Sequence, residues 1–141
     1  MEVEFAFLAD AAQASSNKLY VLGAGFDRIF AGQFPAVHPL MALVLKLKLH
    51  PAECDREHNL EVELWDPDGQ PMGVKVAAKF KAEKPKPAGR PAYVQLVLNL
   101  AQVRFPSAGD YAFQIVVDSQ HYKSLPIYLE QVSNEDLRSP E

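Results

Sequence analysis

Between Val103 and Leu129 the chain reads VRFPSAGDYAFQIVVDSQHYKSLPIYL, and its side chains alternate with a period of two on both sides of a short polar break. Tyr111, Phe113, Ile115 and Val117 share one face, while Ala112, Gln114, Val116 and Asp118 share the other. Successive side chains of an extended backbone point to opposite faces, so this is the pattern of a strand with one side in a core. The break around Asp118 to Gln120 predicts a turn. Leu125, Ile127 and Leu129 then resume the inner face.

The same period recurs along the chain. Val3, Phe5 and Phe7 predict a first strand, and DAAQASSNK after it reads as a loop or a single helical turn. Leu19 to Phe26 predicts a second strand whose Gly23 and Gly25 mark a bulge or a close backbone approach. A phosphate-binding reading of these glycines would need a helix after them, and Asp27 to Pro39, with Gly32, Pro35 and Pro39, reads as an irregular crossing instead. Met41, Leu43, Leu45, Leu47 and Leu49 form a long inner face, with Lys46, Lys48 and His50 outside. Leu60, Val62 and Leu64 predict the returning strand of a hairpin with it. Asp66-Pro67-Asp68-Gly69 has the residue preferences of a type I turn. Val74, Val76, Ala78 and Phe80 alternate with Lys75, Ala77 and Lys79. Residues 82–91, AEKPKPAGRP, predict an exposed loop. Tyr93 to Leu100 predicts another strand.

About eight amphipathic strands separated by turn signals, with no helix of ordinary length, predict an all-β domain, an antiparallel β-sandwich of about seven to eight strands. A length of 141 residues suits one domain, expected over 1–132, with 133–141 as a flexible tail that lacks apolar periodicity. The net charge of -4 argues against general nucleic-acid binding. The single cysteine, Cys54, excludes an intramolecular disulfide. No basic, apolar leader and no stretch of membrane-spanning length is present, so a cytoplasmic protein without a membrane partner is expected.

Gly109, Tyr111 and Phe113 resemble the tyrosine corner of immunoglobulin-like and fibronectin type III-like domains. Phe113 stands where a disulfide cysteine often sits, and Ser107 where an aspartate is usual. The resemblance implies an immunoglobulin-like sandwich in which Tyr111 bonds a nearby backbone group. Over its whole length the chain also resembles a bacterial family of short proteins classed as a domain of unknown function. The stretches that carry this likeness are VEFAFLADAA, LYVLGAGFDRIFAGQFPAVHP, KLKLHPAECDREHNLEVELWDPDG and FPSAGDYAFQIVVD followed by SLPIYL. It implies a sandwich and a bacterial origin, and brings no activity with it.

Few residues suggest chemistry. His50, Cys54 and His58 lie four apart across the loop after Leu49, and a closed hairpin would gather two imidazoles and a thiolate, a donor set suited to zinc. A polar loop that happens to hold two histidines is the plainer alternative. Cys54 as a nucleophile would need an adjacent base and an oxyanion site. Asp66 and Asp68 lack the further ligands of a calcium loop, and no serine sits in a hydrolase elbow. Residues 75–90 hold six cations (Lys75, Lys79, Lys81, Lys84, Lys86 and Arg90) against Glu83, a net +5 in a chain whose total is -4. Lysines along one strand, Lys75, Lys79 and Lys81, guard a sheet edge or meet a partner there.

The expectation is therefore a non-catalytic binding or assembly module that engages a protein partner, or a second copy of itself, through loops or a sheet edge. It requires no cofactor. The alternative is a small metal- or ligand-binding protein that uses His50, Cys54 and His58.

Overall fold

The alternating apolar runs become strands. The structure, a computed structural model, describes residues 1–133. Apart from Ser133, the tail expected at 133–141 lies outside them. Ten strands follow in order: β1 (Glu2–Ala9), β2 (Ala11–Ser15), β3 (Lys18–Leu22), β4 (Arg28–Ala31), β5 (Ala36–Leu49), β6 (His58–Trp65), β7 (Pro71–Phe80), β8 (Ala92–Phe105), β9 (Gly109–Val117) and β10 (Gln120–Gln131). A single 3-10 turn, Pro51–Glu53, is the one helical element among the described residues, and no helix there is long and apolar enough to cross a membrane.

The chain is all-β. A three-stranded sheet has the order β1-β5-β8 and a five-stranded sheet the order β4-β10-β9-β6-β7, while β2 and β3 pair with each other. The pairings are antiparallel except that of β4 with β10, which runs parallel. The five-stranded sheet curls into a half-barrel.

One apolar core joins the two larger sheets. Leu8, Met41, Leu43, Leu45, Leu47 and Leu49 come from one, and Leu60, Val62, Leu64, Tyr111, Phe113, Ile115, Val117 and Ile127 from the other. Each of these large side chains, taken fully out of water, stabilises the fold by about 2 kcal/mol before conformational entropy is charged against it. On the opposite face of β5, Ala42 and Val44 are buried as well. The β2-β3 hairpin folds back there, with β2 in contact with β5 and β8.

Three expectations are overturned. The Met41–Leu49 and Leu60–Leu64 runs do not form a hairpin: β5 pairs with β1 and β8, and β6 pairs with β7 and β9. Both present leucines to the same core, one from each sheet. Hydrophobic alternation reports which face is buried and is silent on which strand supplies the hydrogen bonds. The segment DAAQASSNK is neither loop nor helical turn. It builds most of a hairpin whose two-residue turn, Ser16 and Asn17, has φ of 52° and 62°, matching the twist of the flanking strands. The crossing expected at 27–39 likewise holds β4 and the first residues of β5. Gly23, at φ 66°, is the close approach its position implied, since a Cβ there would strike the Asp10 carboxylate.

The β8-β9 connection carries the bond expected of Tyr111. Its hydroxyl donates to the Ser107 carbonyl at 2.7 Å and accepts from the Ser107 N–H at 3.3 Å, while its ring meets Phe105 edge-on at 5.0 Å. Phe113 is wholly buried. Gly109 lies against the Asp66-Pro67-Asp68-Gly69 turn, and a Cβ there would come 2.7 Å from Pro67 Cγ. That turn is closed as its residues predict, with Asp66 Oδ1 accepting from the N–H groups of Asp68 and Gln70. Tyr111→Phe is expected to lower stability in urea unfolding by about 1 kcal/mol or somewhat more, the worth of one part-buried hydrogen bond. An unchanged midpoint would show that the bond contributes nothing.

Candidate functional site

His58 opens β6 on the same face as Leu60, Val62 and Leu64, and that register carries its imidazole inward to 1 % exposure. The ring stacks on Phe80 at 5.3 Å. Both nitrogens are engaged: Nδ1 meets Asp118 Oδ2 at 2.6 Å and Nε2 meets the Glu53 carbonyl at 2.7 Å. A carbonyl only accepts, so Nε2 donates, and the carboxylate of Asp118 takes a second proton donor at Nδ1. Both acceptors are met at once only when the ring is protonated, as an imidazolium. Burial opposes its charge, yet the bonds to Asp118 and Glu53 and the nearby carboxylate outweigh burial and the opposing Arg56, raising the His58 pKa. Asp118 is held below the usual carboxylate range, first by the Asn59 N–H at 2.9 Å and then by His58.

The loop between β5 and β6 is tied down from the other side by Glu53. Its Oε1 accepts from the His50 N–H at 2.9 Å and pairs with the Met1 ammonium at 2.7 Å. Burial works against the Glu53 charge, but these two donors prevail and lower its pKa.

His50, Cys54 and His58 are not brought together as ligands. His50 is exposed, and Cys54 is buried with its Sγ directed at the His50 carbonyl at 3.6 Å. Both ring nitrogens of His58 are already engaged by Asp118 and the Glu53 carbonyl. Among the described residues no three His, Cys, Asp or Glu side chains group as a metal site requires. The premise of that reading, a hairpin closing on both histidines, is the pairing the sheets overturn.

Lys75 and Lys79 stand on β7, the last strand of the five-stranded sheet, and Lys81 lies just beyond it. Lys75 pairs with Glu61 and Lys79 with Glu57, each at 3.4 Å, so acids beside them on the β6 side offset part of the basic stretch. Such exposed pairs are worth little individually. The strand's inner side chains, Val74, Val76 and Ala78, pack on the core.

Residues 4–130, from the first strand into the last, match the model of a family described as a family of unknown function, DUF6941. The chain belongs to this family. No curated protein matches it. The His58 pair, the β7 edge and Tyr111 all lie within the part of this DUF6941 member that the family model spans.

The Asp118 partnership escapes inspection of the sequence because sixty residues separate it from His58. The burial of His58 does not: it continues the inward series Leu60, Val62 and Leu64. A buried histidine demands partners.

A raised histidine pKa contributes stability that is complete below the unfolded value of about 6.5 and is lost as pH rises through the folded value. A lowered aspartate contributes above about pH 3.9 and is lost as pH falls through its folded value. This DUF6941 member should therefore lose stability as pH climbs past neutrality, and Asp118→Asn should flatten that decline. Urea midpoints across about pH 5 to 9 measure both, and equal slopes for the two proteins would remove the pair from the account. Elemental analysis of protein purified without chelator is expected to find well under one equivalent of zinc, copper or nickel.

Proposed function

We propose that this protein is a non-catalytic binding or assembly module that accepts an extended segment of a protein partner along β7. The observation that carries the reading is the position of β7. It is ten residues long, ends the five-stranded sheet and, among the described residues, has β6 as its one hydrogen-bonded neighbour. Alternate N–H and C=O groups of such a strand point away from the sheet and form a template for strand addition. Gly73, at φ 79° and beside the register shift opposite Glu63 to Trp65, breaks one end of the strand, which leaves Val74 to Phe80 as the regular part.

Charge supports the same surface. Lys75, Lys79 and Lys81 line the approach, and their pairing with Glu61 and Glu57 is exposed and exchangeable, so an acidic partner segment can replace those carboxylates. As part of the same proposal, the two sheets that share one core form an immunoglobulin-like sandwich with Tyr111 as its tyrosine corner, a scaffold that keeps edges and loops in fixed places. The metal-binding alternative loses its main support because both nitrogens of His58 are already bonded.

The variant K75Q/K79Q/K81Q tests the edge. It is expected to elute as a larger species in size-exclusion chromatography, from edge-to-edge association, or to lose partners that the wild-type protein retains in pull-downs identified by mass spectrometry. Unchanged behaviour in both would mean that β7 is not the working surface.

A further inference from the structure

The β2-β3 hairpin does more than cover β5. Between its tip and the outer face of the three-stranded sheet lies an open cleft of roughly 530 Å³, lined by Ala14, Ser15, Ser16, Asn17 and Lys18 from the hairpin and by Lys46, Tyr93 and Gln95 from the sheet. Lys46 and Gln95 are directly opposed on β5 and β8. The Gln95 side chain donates to the Asn17 carbonyl at 3.0 Å, which ties the hairpin tip to the sheet.

Its charge is unusual for an acidic chain. Lys46 stands on the central strand of its sheet, half-buried, with its ammonium 4.4 Å from the centroid of Tyr93 and 5.9 Å from that of Phe5. Neighbouring Lys48 pairs with Glu2 at 3.6 Å. Lys46 and Lys18 have no carboxylate partner among the described residues, and no carboxylate lines the cleft. Aromatic faces stabilise a cation without neutralising it. Two ammonium groups without a carboxylate partner, three hydroxyls and two side-chain amides thus line an open cleft whose volume is in the range of small-molecule sites.

We infer that this cleft binds a small phosphorylated polyol, of the sugar phosphate class, with its phosphate on Lys46 and Lys18 and its hydroxyl groups toward Ser15, Ser16, Gln95 and the Tyr93 phenol. The phosphate satisfies both cations through charge-assisted hydrogen bonds. The body is hydroxylated because, Tyr93 and the small Ala14 apart, the lining side chains are polar and offer no extended apolar wall to reward a hydrocarbon. The inference is independent of the β7 edge.

Titration calorimetry and amide NMR with glucose 6-phosphate, inorganic phosphate and glucose test it. Glucose 6-phosphate is expected to bind more tightly than inorganic phosphate, with glucose silent, and to shift the amides of Ser16, Asn17, Lys46 and Gln95. Lys46→Met, which keeps the stem, should weaken binding about tenfold or more, the loss of one charge-assisted bond. Lys18→Gln should weaken it as well, and Lys123→Gln, away from the cleft, should leave it unchanged; unaltered thermal unfolding certifies each variant as folded. Equal affinity for inorganic phosphate and the ester would overturn the polyol assignment. Absence of phosphate binding at millimolar concentration, shifts confined to other regions, or an affinity indifferent to Lys46 and Lys18 would overturn the site.

Discussion

A protonated histidine taken out of water is costly unless every donor it carries is met by an acceptor. His58 meets that condition with one carboxylate and one backbone carbonyl, and each comes from a different part of the chain. Asp118 belongs to the turn between β9 and β10, and its second oxygen holds the Asn59 N–H, so the start of β6 is fastened to that turn through side chain and backbone together. Glu53 belongs to the loop by which the chain leaves one sheet for the other, and its own carboxylate holds the amino end of β1. This one ring therefore ties the crossing between the sheets to the β9-β10 turn and, through Glu53, to the start of β1.

The same dependence explains what could be read from the residues and what could not. Alternation identified the buried faces of β5, β6, β9 and β10 because each has one side on the core, and it placed Lys75 and Lys79 outward on β7. It could not assign neighbours: the leucines of β5 and β6 satisfy each other equally well as a hairpin within one sheet or as opposed faces of two, and the loop between them accepts either. The choice is made by contacts distant in sequence, such as Asp118 with His58. Residues 10–18 misled for another reason. Alanine and serine carry little apolar contrast, so a hairpin built from them has no visible period, and its only cue was the Ser16-Asn17 pair suited to positive φ.

Sites suffered most from this blindness. The triad His50, Cys54 and His58 was attractive because the three are close in sequence, yet strand direction sends His58 into the core and leaves His50 in solvent. The cleft under the β2-β3 hairpin had the opposite fate. Lys46, Gln95 and Tyr93 were legible only as outward residues of two strands, and the hairpin that roofs them was not legible at all.

The two surfaces argued for function sit on different sheets, and the fold gives a reason for the division. The five-stranded sheet ends in β7, so the partner proposed for it would be met by the peptide groups of a strand edge. The central strand of the three-stranded sheet is paired on both sides, so whatever that sheet recognises must be met by side chains on its outer face. There the chain places a lysine between two rings and leaves it without an acid, although its neighbour Lys48 has one. An ammonium held by aromatic faces keeps its full charge available to an incoming anion, whereas one held by a carboxylate must first be released. The contrast between Lys46 and Lys48, two residues apart on one strand, is the strongest local sign that the face serves recognition as well as stability.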